Sequence, residues 1–499
     1  MRKRFEQQNE LDAQLIPEVK IDGKSRHELP QLLAGLQYIF ITPQLNEDIF
    51  EILERKVLGG KKSTGRLGLS LWEILVLGTM RLNLDADYDT VYDLSNHHEV
   101  VRGILGVHTR QVFGEGKYYP LQTLKDNIAL LDEETLKEIS EVVVKAGHRL
   151  KKNGNGQDVA LNFKTDTYVV ESNVHFPTDI NLLWDSARKC LDTIALILRE
   201  PAPIKIEGWR KHNHWRKVAK RNYRHTANIH QKKGKNYKER LKEATETYLK
   251  HSRQLSRQVA QSIEALVNAG QTTIRLSALL ESLSYYHKML EKHIDLVQRR
   301  IIKEEIIPHK EKVFSIFESH VEWIQKGKQN NKVELGHLAL ITTDQYHFIV
   351  DHEVLVKQGD SAQPIPLAKR LKTRFANGYK LNSISFDRGF YSVLAKKALQ
   401  ADFEYVVMPR KGKKTQAQLA EQSTKTFVAL SKKHSAVESN INELEHSGAN
   451  RVPDKGLDGF KKYVALGVLA YNLKRLGKLV MEQHRLTTVV RPGKISRAA

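Results

Sequence analysis

Residues 383–391 read Ser383-Ile384-Ser385-Phe386-Asp387-Arg388-Gly389-Phe390-Tyr391. Because side chains alternate between the two faces of a β-strand, Ile384 and Phe386 are expected on one face and Asp387 on the other. The stretch therefore predicts a strand that ends in a carboxylate on a polar face, just before a glycine turn. Such a carboxylate either begins an ordinary turn or binds a metal ion in a polar cleft, and this stretch alone favours neither.

A second predicted strand, at residues 159–170, also carries an acid on its polar face. Its apolar positions alternate with Asn162, Lys164 and Asp166, a pattern typical of a strand with one buried face. Two carboxylates on separate strands, Asp166 and Asp387, would suit a two-metal site for phosphoryl transfer, because Mg²⁺ prefers oxygen ligands.

A late helix offers a third acid. Val437, Ile441 and Leu444 form an apolar stripe at helical spacing. Glu438 lies beside this stripe, and Glu445 lies almost directly above Glu438 two turns on. Helical geometry does not separate the two glutamates, and a surface helix on which both are merely solvated fits the pattern equally well.

The composition narrows the class of partner. The chain has 499 residues and a formal net charge of +22, which favours a polyanionic partner and nucleic acid first of all. The sequence contains no basic amphipathic helix, lipidation signal or long apolar span, so it does not indicate a membrane-bound protein. The single cysteine, Cys190, excludes an intramolecular disulfide and fits a reducing compartment. The first residues lack the apolar stretch of a secretory signal, so a cytoplasmic protein is expected.

The order of the periodic patterns predicts an α/β fold, with a mixed sheet flanked by helices and interrupted by a large helical insertion. Residues 1–150 are expected to form a helical N-terminal domain. The expected segments after it are 151–190 for the first part of the core, 191–330 for the basic insertion, 331–480 for the second part and 481–499 for a basic C-terminal tail.

Residues 205–240 are rich in Lys and Arg, interleaved with aromatic residues. Such a segment can neutralise phosphates and offer rings to exposed bases, so we expect it to contact DNA. The alternative is a solvated helical face with structural tryptophans, and the irregular histidine spacing without cysteines disfavours zinc. The residues expected at DNA are Arg210, Lys211, Trp215, Arg216, Lys217, Lys220, Arg221, Arg224, Lys232 and Lys233, together with Arg388 beside Asp387.

Three segments resemble, in order, the three acidic motifs of insertion-sequence DDE transposases, most closely those of the ISNCY-type group. The segments are 164–179, 385–390 and 436–444, and the resemblance extends to residues 333–336 and 456–473. It implies an RNase H-like catalytic core in which Asp166, Asp387 and Glu438 bind two Mg²⁺ ions, for which Mn²⁺ may substitute. It also implies Glu438 rather than Glu445 as the third acid, and a homodimer on paired DNA ends.

The chain departs from the family pattern on both sides of the third acid. Related transposases often have an Arg one turn before it and a Lys two turns after it, where this chain has His434 and Glu445. The roles of these two positions therefore stay open. The resemblance implies a transposase that cuts and joins DNA; the alternatives are a DNA-binding relative without activity and an RNase H-like nuclease without strand transfer.

Overall fold

The computed structural model describes residues 2–5, 14–59, 68–108, 117–151, 159–200, 206–270, 273–325 and 333–489. The chain divides into two compact units. The larger comprises residues 1–173 and 324–499, and the smaller comprises residues 174–323. The last ten residues of the predicted tail lie outside the described residues.

The larger unit begins with helices and continues into a sheet. Its first helices are α1 (Glu28–Ile41), α2 (Pro43–Leu53), α3 (Leu71–Asn83), α4 (Tyr88–His97), α5 (Glu99–Ile104), α6 (Leu121–Ile128) and α7 (Glu133–Lys151). The smaller unit contributes four helices, α8 (Asp179–Ile197), α9 (His212–Lys232), α10 (Tyr237–Asn268) and α11 (Ile274–Val297). The later helices are α12 (Pro364–Arg374), α13 (Val393–Leu399), α14 (Gln416–Ser423), α15 (Lys425–His434), α16 (Ala436–Leu444) and α17 (Gly456–Val489).

The sheet has seven strands and is mixed. Its strands are β1 (Val159–Ser172), β2 (Glu322–Gln325), β3 (Val333–Thr343), β4 (Ile349–Leu355), β5 (Tyr379–Phe386), β6 (Tyr405–Val407) and β7 (Arg451–Val452). The order is β2-β3-β1-β5-β6, with β4 also paired to β3 and β7 to β1. Strand β1 is antiparallel to β3 and parallel to β5, which in turn is parallel to β6. The predicted α/β class with a mixed sheet is confirmed.

Helix α17 is the central element of the larger unit's core. It is apolar on all sides, and nearly every residue from Tyr463 to Leu476 is buried, as expected of a helix surrounded by other elements. It packs along α1, α3 and α7 and reaches β4. There the Asn472 side chain replaces a strand neighbour, because its Oδ1 accepts from the N–H of Ile349 at 2.9 Å and its Nδ2 donates to the carbonyl of Ile349 at 2.8 Å.

The compact units differ from the predicted domains. The helices before residue 150 share one hydrophobic core with the sheet and α17, whereas the sequence pattern suggested a domain of their own. The smaller unit begins at residue 174, before the predicted start of the insertion at 191. Helix α17 continues through Val489, into the segment predicted as a tail.

The smaller unit is built on α8, α10 and α11. Helices α10 and α11 form the predicted αα-hairpin, and Gly270 ends α10 with a φ of +73°, a conformation that favours glycine. The buried residues of α8, which include Cys190, form a core of their own with those of α10 and α11. No helix among the described residues is long and apolar enough to cross a membrane.

Candidate active site

The strand register brings Asp166 and Asp387 to neighbouring positions. Strand β1 lies between β3 and β5, and Thr165 of β1 is paired with Phe386 of β5. The next residue on each of these parallel strands is an aspartate, Asp166 and Asp387. Ile384 and Phe386 are buried in the core, as the alternation predicted, and Asp387 is exposed at the strand end.

Glu438 comes from a helix that packs on the same part of the sheet. It lies in the first turn of α16, which contacts β1 and β3 and buries Val437, Ile441 and Leu444. Just before this helix, His434 places its Nδ1 3.0 Å from the Oγ of Ser385, on the polar face of β5. The apolar stripe thus anchors α16 and leaves Glu438 exposed, where its charge acts on Asp166.

The charges of Asp387 and Glu438 act on Asp166 and on His434. Burial raises the pKa of Asp166 to about 6, although a hydrogen bond from the N–H of Thr167 opposes the shift. The negative charges of Asp387 and Glu438 raise this pKa further. Burial lowers the pKa of His434, and the same two carboxylates partly offset that effect. Both groups therefore respond to the charges of Asp387 and Glu438.

Glu445 lies elsewhere. It begins a single π-helical turn after α16, and its charge acts on Tyr168, whose pKa is raised first by burial and then by Glu445. The Tyr168 hydroxyl donates to the carbonyl of Ala449 at 3.0 Å. Of the two glutamates that helical geometry left open, Glu438 thus acts on Asp166, and Glu445 acts on Tyr168.

A fourth acid, Asp360, belongs to this cluster and was not predicted. Its Oδ1 accepts a hydrogen bond from the hydroxyl of Thr167 at 3.0 Å, and its charge adds to those acting on Asp166. A Cβ on Gly389 would lie 2.9 Å from Asp360 Oδ2, so a side chain at position 389 would crowd this carboxylate. Asp360 lies in a loop after β4, where no strand or helix periodicity marks it.

The donor set fits a hard divalent cation, because it consists of carboxylate oxygens with uncompensated negative charge. Among the described residues, however, no group of three or more His, Cys, Asp or Glu side chains has the geometry to hold a metal ion. Asp387 and Glu438 are both exposed, so their side chains have room to turn toward a cation. Without that cation, the like charges repel one another.

The basic segment forms helix α9 in the smaller unit. Ala219, Asn222, Thr226 and Ile229 face inward at helical spacing. The predicted DNA-contacting residues that are exposed are Arg210, Lys211, Lys217, Lys220, Arg221, Arg224, Lys232 and Lys233. Position 205, at the start of the segment, lies outside the described residues.

The aromatic residues of this segment mostly support the fold. Trp209 is buried and its indole N–H donates to Ser262 Oγ at 2.8 Å. Trp215 is half-buried against the core of the smaller unit, and Tyr223 stacks on Trp184 with ring centroids 5.6 Å apart. Arg216 is half-buried and pairs with Asp192. Of the predicted DNA contacts, Trp215 and Arg216 are therefore engaged in the smaller unit itself.

Arg388 follows Asp387 directly, in a short 3-10 turn, and is exposed. Its guanidinium stays protonated at any physiological pH, which suits a contact with phosphate rather than proton transfer.

Part of the chain matches a known family. Residues 302–473 match the family model of the transposase DDE domain, a range that contains Asp387, Glu438 and Asp360 but not Asp166. No curated protein and no solved structure matches the chain. The chain therefore carries a transposase DDE domain and resembles the DDE transposases of insertion sequences.

Proposed function

We propose that this chain is the transposase of an insertion sequence of the ISNCY type, with an RNase H-like catalytic core. It would cut DNA at the element's ends and join the freed ends to a target by phosphoryl transfer. The observation that carries the proposal is the cluster formed by Asp166 of β1, Asp387 at the end of the adjacent strand β5 and Glu438 of α16, in a chain that matches a transposase DDE domain.

In this proposal Asp166, Asp387 and Glu438 hold two divalent ions, Mg²⁺ or Mn²⁺. Such ions would activate a water molecule as the nucleophile and would stabilise the leaving 3′ oxygen of an in-line displacement. The protein's own part is to fix the carboxylates, since phosphoryl transfer depends mainly on positioning and on charge neutralisation. A freed 3′-OH can then take the place of water, so the same carboxylates serve cleavage and strand transfer.

His434 and Asp360 complete the surroundings of this site. Burial keeps His434 neutral near pH 7, because its pKa is lowered, and its Nδ1 is held at Ser385. Its Nε2 has no hydrogen-bond partner among the described residues. We propose that His434, in the place where relatives often have an arginine, positions Ser385 beside the carboxylates.

DNA binding is assigned to the exposed cations of α9 and the residues flanking it, together with Arg388. The helices before residue 150 are the proposed place of end recognition, and two copies of the chain are proposed to pair two DNA ends. The named cations are exposed, and neutralisation of phosphates by such cations favours binding through counterion release.

The proposal is tested with two glutamate variants that differ only in position. Glu438→Gln should lose metal-dependent nicking and joining of DNA that carries the element's ends, by roughly a hundredfold or more as for a lost electrostatic contact to the reacting group. Glu445→Gln should cut and join as the wild type does, because Glu445 lies in the π-turn after α16 and acts on Tyr168. Calorimetric titration with Mn²⁺ gives a second readout, in which Glu438→Gln should bind the metal more weakly.

The outcome also separates the alternative functions. Cleavage without joined products would indicate a nuclease without strand transfer, and DNA binding without any metal-dependent cleavage would indicate a non-catalytic relative. Equal cleavage by the wild type and by both Glu438→Gln and Asp387→Asn would refute the assignment of the site.

A further inference from the structure

The smaller unit contains a cavity that the proposed reaction does not use. Its volume is about 570 Å³, within the range of roughly 300–1,000 Å³ that is common for ligand sites. Residues from the start of α8, the end of α9, the first turns of α10 and the loop before β2 line it. All of these residues belong to the smaller unit.

One side of the cavity is aromatic. Phe176 is 59% exposed, and its ring centroid lies 5.6 Å from that of Trp323. Trp323 in turn lies 5.5 Å from Phe314, so the three rings form a continuous group. The exposed face of Phe176 has no apolar cover, although exposure of a large aromatic ring is unfavourable in water. A flat ligand could stack on it.

The other side is cationic. Five Lys and Arg side chains line the cavity against two acids. Arg300 pairs with Asp179 at 2.7 Å and Lys242 pairs with Glu304 at 2.8 Å, which accounts for both acids. Lys233, Lys238 and Lys312 are exposed and form no ion pair with any carboxylate that the structure describes. The cavity therefore offers uncompensated positive charge beside a stacking surface.

We propose that this cavity binds an unpaired stretch of DNA strand, with a base stacked on Phe176 and Trp323 and the adjoining phosphates at Lys233, Lys238 and Lys312. Aromatic rings next to cations are the combination that proteins use for single strands, because every base has a flat face and every linkage a negative charge. A duplex keeps its bases stacked inside and cannot present one to Phe176. The inference rests on the proposed function only in that the strand belongs to the DNA on which the chain acts.

The test uses the full-length protein in EDTA, so that binding is measured without cleavage. A short fluorescein-labelled oligothymidylate and a duplex of the same length are titrated by fluorescence anisotropy. Phe176→Ala should weaken single-strand binding by roughly 5- to 100-fold, the loss of one stacked base, and leave duplex binding unchanged. Lys312→Gln should weaken it less and reduce its dependence on salt.

Two variants serve as matched controls. Phe317 is 40% exposed in the same unit but does not line the cavity, so Phe317→Ala should bind the oligothymidylate as the wild type does. Lys310 is exposed two residues from Lys312 and is also absent from the lining, so Lys310→Gln should have no effect beyond that of one exposed charge. Should Phe176→Ala fail to fold, as circular dichroism would show, Phe176→Leu keeps the apolar bulk and removes only the ring.

Several results would overturn the inference. Single-strand binding by Phe176→Ala and Lys312→Gln equal to that of their controls would exclude the cavity as its place. An equal loss of duplex binding would assign the cavity to the duplex path instead. Displacement of the oligothymidylate by ATP at equal nucleotide concentration, in the wild type alone, would indicate a site for free nucleotides. Asp387→Asn should keep single-strand binding intact, so a failure of the catalytic assignment remains distinguishable from a failure here.

Discussion

The surroundings of Asp166 disfavour the ionised form of its carboxyl group. Burial and three neighbouring carboxylates raise its pKa from 3.8 to about 6 in the folded protein. When the folded-state pKa of an acid is raised, the unfolded chain releases the proton first as the pH increases. The free energy of unfolding therefore falls between about pH 4 and pH 6 and stays lower at higher pH. A bound cation would remove this penalty.

Replacing Asp166 by Asn should make the metal-free protein more stable at pH 7.5, because the amide imitates the neutral carboxyl. The rise in the pKa of Asp166 corresponds to about 3 kcal/mol in the free energy of unfolding. Because Asp166 is partly exposed, we expect a gain in stability of roughly 1–2 kcal/mol. The gain should vanish below about pH 4, where the carboxyl is neutral in both states. Thermal unfolding in EDTA across this pH range measures it.

Asp126→Asn is the control for this experiment, because Asp126 is exposed and far along the chain from the site. It should leave the unfolding temperature nearly unchanged at each pH. Added Mg²⁺ should then stabilise the wild type more than Asp166→Asn, since a ligand stabilises the folded state that binds it. An Asp166→Asn variant that is less stable than the wild type at every pH in EDTA would contradict this account.

At the scale of single residues, the alternation of side chains along a strand predicted which residues point away from the core. It did not predict which other residues they contact. Ile384 and Phe386 against Asp387 could be predicted because a strand has a period of two. Asp360 could not, since loop residues have no period and its position depends on the hydroxyl of Thr167 and the open space at Gly389. Helical periodicity could not predict that α16 gives way to a π-turn after Leu444, so the choice of Glu438 over Glu445 depended on the family resemblance and stays a prediction.

At the scale of elements, the contact between α1 and α17 depends on two glycines. A Cβ on Gly35 would lie 2.3 Å from the carbonyl oxygen of Leu473, and a Cβ on Gly477 would lie 1.8 Å from that of Gln31. Backbone atoms cannot turn aside as a flexible side chain can. The two helices therefore approach closely only because both positions lack a side chain.

Gly477→Ala should destabilise the protein, although alanine normally favours a helix over glycine. We expect a loss of roughly 1–3 kcal/mol, as for other overpacked interiors, because α1 and α17 must move apart. Gly459→Ala in the same helix is the control, since its Cβ would meet nothing closer than 3.6 Å. Chemical denaturation of both variants measures the difference, and a Gly477→Ala variant as stable as Gly459→Ala would show that the helices accommodate the methyl group.

Most elements of the second half of the chain were predictable, because β3, β4, β5, α12 and α13 have strong apolar periodicity. Helices α14 and α15 were not predicted. Helix α14 has no buried residue and α15 buries only Phe427, so neither shows the apolar stripe on which such predictions depend.

At the scale of the whole molecule, sequence patterns did not show which elements share a core. The N-terminal helices have enough apolar residues to suggest a separate core, yet those residues pack on α17, which lies more than 300 residues later in the chain. Sequence periodicity shows that a helix has a buried face but not which element covers it. The net charge of +22 needs no such pairing to be informative.

The net charge leads to a prediction that distinguishes an effect of where the positive charges lie from an effect of their total number. Lys217 and Lys220 are exposed on α9, and Lys250 and Lys288 are exposed on α10 and α11. Replacing either pair by glutamine removes two positive charges.

If α9 lies on the DNA, Lys217→Gln with Lys220→Gln should lower the slope of log affinity against log salt by about 0.9 for each lost phosphate contact. Lys250→Gln with Lys288→Gln should leave the slope unchanged, because long-range attraction between exposed charges is screened within about 10 Å at ordinary salt. Titrations of duplex DNA at several salt concentrations measure both slopes. Equal slopes for the two double variants would mean that the chain attracts DNA through its overall charge and that α9 is an ordinary solvated helix.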